Sequence, residues 1–158
     1  MRVLAWLCDK AVLLWALLIF GLTWSPAHSL AQDQNGTWNS LAAGNWSDPA
    51  QWLGNVVADG ADRTADFGTL DLTSDVTVRL DSTRTIGNLI FGDTTVSSAA
   101  GWLLDNNGTS TNILTLAGTN PTITVNLLGS GKVAAISAQI SGTAGLVKAG
   151  SGVLRLNA

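Results

Sequence analysis

The sequence predicts an all-β fold made of many short strands, and three observations carry this prediction. Thr, Val, Leu, Ser, Asn and Gly dominate the chain after residue 32, and no glutamate occurs anywhere in its 158 residues. Apolar and polar residues alternate in several short runs, which is typical of half-buried strands. No stretch after residue 32 repeats its apolar residues with the 3.6-residue period of an amphipathic helix. We therefore expect strands joined by turns.

The first 31 residues have the three-part pattern of a secretory signal peptide, which we expect to be helical. Positive charge comes first, an apolar run follows over residues 11–24, and Ser29 and Ala31 stand at the −3 and −1 positions. The pattern predicts cleavage before Gln32, with a second candidate site after Ala27. An uncleaved anchor is the alternative, but the apolar run is shorter than the roughly 20 residues that a spanning helix needs.

Removal of this segment would leave a chain with few groups suited to catalysis. The single cysteine, Cys8, and the single histidine, His28, both lie within it. The net charge of the whole chain is −3, and loss of Arg2, Lys10 and Asp9 would leave −4. A weakly acidic chain lacks the basic stripe of a nucleic-acid-binding protein. Without Cys, His and Glu, we expect no enzymatic activity, no metal site and no cofactor.

The strands are expected in the following order. Val76, Val78 and Leu80 alternate with polar residues, and this alternation predicts the first strand, over 73–81. Asn107-Gly108 tolerates positive φ and predicts a tight turn between two further strands. The predicted strand segments are 73–81, 86–91, 102–104, 113–116, 122–127, 133–140, 146–147 and 153–156.

Short strands separated by Gly-rich corners allow a sandwich, a barrel or a β-helix, and the tight spacing near the C-terminus favours stacked coils. Each coil would contribute short strands, and neighbouring coils would bury a continuous aliphatic core. Bulky aromatic residues are rare in this stretch, as a narrow core requires. The candidate core residues are Leu116, Ile123, Val125, Leu127, Ile136, Ile140, Leu146, Leu154 and Leu156.

The segment from residue 145 to residue 156, GLVKAGSGVLRL, resembles the G-L-x-K-x-G-x-G-x-L-x-L signature of the autotransporter-associated β-strand repeat, also called the passenger-associated transport repeat. The Trp-rich stretch around GNWS (44–47), DFG (66–68) and IGNLIFG (86–92) resembles the module that often precedes such repeats. The repeat-motif residues are Gly145, Leu146, Lys148, Gly150, Gly152, Leu154 and Leu156.

This resemblance implies a right-handed β-helix that is secreted from, or exposed on, a Gram-negative-type cell, as in a passenger domain. It implies no catalytic residue. The expected organisation is a signal peptide over 1–31, a Trp-rich N-terminal cap region over 32–70, and β-helix-like strands over 71–158 that end in one repeat. The expected function is that of a noncatalytic structural or adhesin-type module of the cell surface, with a glycan or another surface component as its partner.

Trp38, Trp46 and Trp52 are the main candidate functional residues. Exposed indole faces could stack on sugar rings and make the chain a carbohydrate-binding module. The alternative is a cap, because the end of a stack of coils bares apolar residues and unpaired backbone groups. We favour the cap, and we expect these three side chains to be mostly buried.

The aspartates allow two further functions, a calcium site and a polysaccharide-active β-helix enzyme. Asp59, Asp62 and Asp66 lie close together in sequence, with Asp71 and Asp75 beyond them, but their spacing matches no calcium loop. We therefore interpret them as solvated turn residues. A lyase would need a Lys or Arg base near such carboxylates, and the sequence pairs none of Lys132, Lys148 and Arg155 with them.

The C-terminal edge is predicted to be open. Leu154 and Leu156 would point toward the core, and no Pro or charge cluster follows Arg155. Unpaired edge strands are templates for association. We therefore expect marginal stability, or self-association through this edge.

Overall fold

The structure, a computed structural model, describes residues 33–157. The predicted signal peptide lies outside the described residues. Within them the chain is all-β, as predicted, and its helical content consists of two short 3-10 helices, Pro49–Gln51 and Leu53–Asn55. No helix in this part of the chain is long and apolar enough to span a bilayer.

In residues 33–157, twelve strands form two sheets, and every pair of neighbouring strands is parallel. They are β1 (Gly36–Thr37), β2 (Gly44–Asn45), β3 (Gly60–Phe67), β4 (Val76–Arg79), β5 (Arg84–Phe91), β6 (Trp102–Asp105), β7 (Ile113–Leu116), β8 (Thr122–Val125), β9 (Ala134–Ile136), β10 (Gln139–Ser141), β11 (Val147–Ala149) and β12 (Leu154–Leu156).

The chain visits the two sheets alternately. The five-stranded sheet has the order β2-β4-β6-β9-β12, so its strands follow one another in chain order. The seven-stranded sheet runs β1-β3-β5-β7-β10, and β8 pairs with both β5 and β11. The long strand β5 thus pairs with β7 along one half and with β8 along the other. Each passage of the chain lies directly against the previous passage.

The core lies between the two sheets and is built from columns of inward-facing residues. The parallel register aligns Phe67 with Phe91 and then with Val125 in the seven-stranded sheet. In the five-stranded sheet, Leu104 lies between Val78 and Ile136 in the same way. Residues at these positions are buried while their chain neighbours face outward. The period of two in the sequence predicted the buried faces of β4 and β8 correctly.

Three of the predicted core residues lie at the surface. Leu127 is 60% exposed because β8 already ends at Val125, which puts Leu127 in the following loop. Leu146 and Leu156 are also exposed, whereas Ile140 and Leu154 are half-buried. The other predicted core residues, Leu116, Ile123, Val125 and Ile136, are buried.

One predicted strand segment and one predicted turn differ in detail from the structure. The stretch 133–140 contains two strands, β9 and β10, which lie in different sheets. The turn at Asn107-Gly108 is present with positive φ at both residues, 53° and 72°. It joins β6 of one sheet to β7 of the other, so the turn moves the chain between sheets.

Candidate functional site

The three candidate tryptophans meet at the N-terminal end of the stack, and all three are buried. Trp38 and Trp46 have no exposed surface, and Trp52 retains 2%. Each indole N–H donates to a backbone carbonyl oxygen: Trp38 to Ser40 at 2.8 Å, Trp46 to Ala58 at 2.9 Å, and Trp52 to Trp46 at 2.8 Å. A buried indole is stable only when its N–H has such a partner.

These indoles pack against one another and against the first core columns. The ring centroids of Trp38 and Trp52 are 5.2 Å apart in an edge-to-face arrangement, and those of Trp46 and Phe67 are 5.5 Å apart. Phe67 then stacks on Phe91 at 5.1 Å. Trp102 contacts both phenylalanine rings, and its indole N–H donates to Gly92. Aromatic side chains therefore fill the core beyond the predicted cap region, into β5 and β6.

The burial of the tryptophans bears directly on carbohydrate recognition. A stacking platform needs an indole face that a sugar ring can reach. Trp38, Trp46 and Trp52 present no such face, since their rings contact each other and Phe67. Trp46 and Trp52 belong to the segment 46–58, and their rings meet Trp38 and Phe67 at the N-terminal end of the core. This is the position expected of side chains that close the end of a core.

The repeat motif forms the last passage of the chain through both sheets. Lys148 occupies an inward register position in β11, directly above Ile123 of β8. Its ammonium group donates to the carbonyl oxygens of Gly150 and Gly152, each at 2.6 Å. The lysine thus covers an aliphatic column with its stem and satisfies two corner carbonyls with its charge.

The two glycines allow this corner to lie against the previous one. A Cβ at Gly150 would overlap the carbonyl oxygen of Val125, and Gly150 also has a φ of 75°. A Cβ at Gly152 would overlap the carbonyl oxygen of Asn126. The backbone N–H of Gly152 donates to Val125 at 2.8 Å, which fixes the contact. Gly145, with a φ of 80°, lies in open space and serves the turn alone.

The remaining motif residues are incompletely covered. Leu154 and Leu156 of β12 lie in register with Ala134 and Ile136 of β9, so both occupy inward columns. Leu156 is nevertheless 51% exposed, because in the described residues no strand pairs with the far side of β12. Leu146 is exposed in the loop before β11.

The aspartates of the predicted acidic cluster are held apart by separate partners. Asp59 is buried and pairs with Arg84 at 2.9 Å, so the interpretation of Asp59 as a solvated turn residue was wrong. Asp62 accepts from the backbone of Thr119 at 2.6 Å. Asp66, Asp71 and Asp75 accept from Gly68, Thr95 and Gly101, respectively. No group of three candidate metal ligands occurs within residues 33–157.

A cleft that sequence reasoning missed opens on the outer face of the five-stranded sheet, with a volume of about 330 Å³. Parallel register places Thr77, Leu103, Ala135 and Arg155 side by side on β4, β6, β9 and β12. All four line the cleft. Ala135, the smallest residue of this row, lies between Leu103 and Arg155.

One wall of the cleft is an ion pair between residues far apart in sequence. The Lys132 ammonium lies 2.9 and 2.8 Å from the two carboxylate oxygens of Asp75. The backbone N–H of Gly101 donates to the same carboxylate at 2.9 Å. Lys132 thus does pair with an aspartate, contrary to the sequence-based interpretation. Arg155 forms no ion pair within the described part of the chain.

The sequence contained no signal for this cleft. Asp75 and Lys132 are 57 residues apart, and only the strand register brings them together. The row from Thr77 to Arg155 could have been found only if the pairing of β4, β6, β9 and β12 had been known. Once that pairing is fixed, the outward residue of each strand is the one between its two inward residues.

No family model, no curated protein and no solved structure matches this chain.

Proposed function

We propose that the chain is a noncatalytic structural module, exported to the cell surface or the medium, and built as a right-handed β-helix. The observation that carries the proposal is the alternation of the chain between two parallel sheets, with each passage stacked on the last. A chain that repeats this path winds as a coil, and parallel crossovers are right-handed in nearly all proteins. The resemblance of residues 145–156 to the passenger-associated repeat agrees with this architecture and with an adhesin-type or passenger-like role.

The distribution of polar groups supports a noncatalytic role. Four of the six basic residues after residue 32 make structural contacts: Arg63 to Asp33, Arg84 to Asp59, Lys132 to Asp75, and Lys148 to its own corner. Asp75 and Asp62 likewise accept from backbone N–H groups of other passages, those of Gly101 and Thr119. Ion pairs and hydrogen bonds that join successive passages stabilise the stack, as expected for a structural module.

Export is tested with the full chain, expressed with its first 31 residues in a Gram-negative host. We expect protein outside the cytoplasm with an intact mass that begins at Gln32. Ala31→Leu is the matched control, because a bulky residue at the −1 position should block cleavage there. Full-length protein confined to the cytoplasm would contradict the proposal.

The coil is tested by cysteine cross-linking, since the chain after residue 31 contains no cysteine. Ile90 and Thr124 are register partners on the outward face of β5 and β8. Ile90→Cys with Thr124→Cys should form an intramolecular disulfide under mild oxidation, because neighbouring strands lie within disulfide range. Ile90→Cys with Thr122→Cys, displaced by two residues, is the matched control and should form it poorly. Equal yields would contradict this register.

We further propose that the module self-associates through its C-terminal edge. The strands β10, β11 and β12 have no partner on their far side within residues 33–157. Val147, Val153 and Leu156 are exposed there, at 50%, 57% and 51%. Exposed apolar residues beside unpaired backbone groups favour strand addition. Association would join the C-terminal edges of two copies.

A further inference from the structure

We propose that the cleft on the five-stranded sheet binds a carboxylate-bearing saccharide, with Arg155 as the residue that recognises the carboxylate. This inference goes beyond the structural role proposed above. It also assigns glycan recognition to a different surface from the three tryptophans, which are buried.

The charges in the cleft favour an anionic ligand. Asp75, Lys132 and Arg155 together carry one net positive charge, in a chain whose total charge is −3. Asp75 and Lys132 neutralise each other at 2.8 Å. The exposed guanidinium of Arg155 remains, and its planar donors match the two oxygens of a carboxylate. The anionic group of a ligand would therefore lie at the Arg155 end of the cleft.

The other end of the cleft suits hydroxyl groups. A carboxylate has about four acceptor sites. The Asp75 carboxylate uses three of them, for Lys132 at both oxygens and for Gly101 at one. The remaining site can accept from a sugar hydroxyl but would repel a second carboxylate. The hydroxyl of Thr77 adds a group that both donates and accepts. The ligand would thus be oriented with its hydroxyl groups toward Asp75 and its carboxylate toward Arg155.

The floor between these ends is apolar. Leu103, Val133 and Ala135 line it, and the register places Leu103 beside Ala135. The C–H face of a pyranose ring can pack on such a floor while its equatorial groups reach the polar walls. The volume of about 330 Å³ lies at the lower end of the range for small-ligand sites, as expected for one or two sugar units.

The test is calorimetric titration of the chain lacking residues 1–31 with trigalacturonate, compared with the neutral galactose trimer. The two probes share a ring and differ in the carboxylate. We expect binding of trigalacturonate alone, weakened by added salt because the interaction is partly ionic. Arg155→Gln should weaken it by about tenfold or more, since it removes a charge-assisted bidentate contact. Arg79→Gln is the matched control, because Arg79 faces outward on the same sheet but does not line the cleft.

Several results would overturn the inference: no binding of trigalacturonate, equal binding of the neutral trimer, or full binding by Arg155→Gln. Tighter binding of polyglutamate than of trigalacturonate would assign the cleft to acidic peptides instead, and would also overturn it. Circular dichroism of each variant checks the fold. None of these results bears on export or on the strand register, so a failure here is distinguishable from a failure of the proposed function.

Discussion

The core would be open to solvent at both ends of the stack, and the two ends cover it to different extents. At the N-terminal end, the segment 46–58 folds over the first strands, and three buried indoles fill the space between them. At the C-terminal end, inward-facing Leu156 remains half exposed, and Lys148 lies over the column that contains Ile123. At the first end the three indoles are buried, and each indole N–H has a backbone acceptor. At the second end, β12 pairs with β9 on one side, but within residues 33–157 no strand pairs with its other side.

The difference teaches that register and burial are separate properties in a stacked β structure. Leu154 and Leu156 are in register with Ala134 and Ile136, which are fully buried. A residue can thus occupy an inward column and still face solvent when nothing lies above it. Burial depends on the next passage of the chain, whereas register depends on the previous one.

Removing an indole from the closed end should have the largest effect. Trp46→Ala would delete a fully buried ring and leave the Ala58 carbonyl oxygen without its donor. We expect the free energy of unfolding to fall by about 3–5 kcal/mol. Leu156→Ala, at the open end, should cost about 1 kcal/mol or less, because half of that side chain is already exposed. Chemical denaturation of both variants checks the comparison, and equal losses would contradict it.

An intermediate effect is expected from the repeat glycine that brings the last corner against the previous one. Gly150→Ala would place a methyl group on the Val125 carbonyl oxygen, and overpacking of this kind costs about 1–3 kcal/mol. Gly108→Ala is the matched control, because its φ of 72° is close to the 75° of Gly150 while its surroundings are open. Hydrogen exchange should show β11 and β12 loosened in the first variant alone. The same loss of protection in both variants would mean that only the backbone conformation matters.

The sequence predicted features that depend on adjacent residues, and it did not predict contacts between residues far apart in the chain. Val76, Val78 and Leu80 identified a strand because alternation is a property of adjacent residues. The pairs Asp59–Arg84 and Asp75–Lys132 were missed because each joins different passages of the chain. The exposure of Leu127 and Leu156 was missed for a related reason: their apolar character is visible in the sequence, but the ends of β8 and of the stack are not.

The open edge should affect association more than stability. Leu156→Lys places a charge beside unpaired strand edges, which natural proteins use to prevent edge-to-edge pairing. We expect light scattering to show a concentration-dependent increase in mass for the unmodified chain and a monomer for the variant. The change in unfolding free energy should stay within about 0.5 kcal/mol, as for most surface substitutions. Leu53→Lys, at an exposed leucine of the closed end, is the control and should leave association unchanged. Association that survives Leu156→Lys would place the contact elsewhere.

The smallest expected effect is a response to acid confined to the closed end. No acidic residue follows Asp105, so protonation below pH 5 acts mainly on the earlier passages. Hydrogen bonds from the Gln51 amide and the Ala50 backbone N–H lower the pKa of Asp48, which caps the helix Pro49–Gln51. Because the folded-state pKa is the lower one, the carboxylate contributes stability above about pH 4 and loses that contribution as the pH falls toward its lowered value.

Asp48→Asn isolates this contribution, since asparagine also caps helices but does not titrate. Between pH 6 and pH 3, we expect the melting temperature of the variant to fall slightly less than that of the unmodified chain. Asp105→Asn is a comparison from the end of β6, where Asp105 accepts from the backbone of Asn107. Hydrogen exchange at pH 3 should locate the acid-induced loosening in the segment 46–58, with β9 and β12 unchanged. Loosening that begins at β12 would contradict this prediction, because it would show that the C-terminal end is the weaker one in acid.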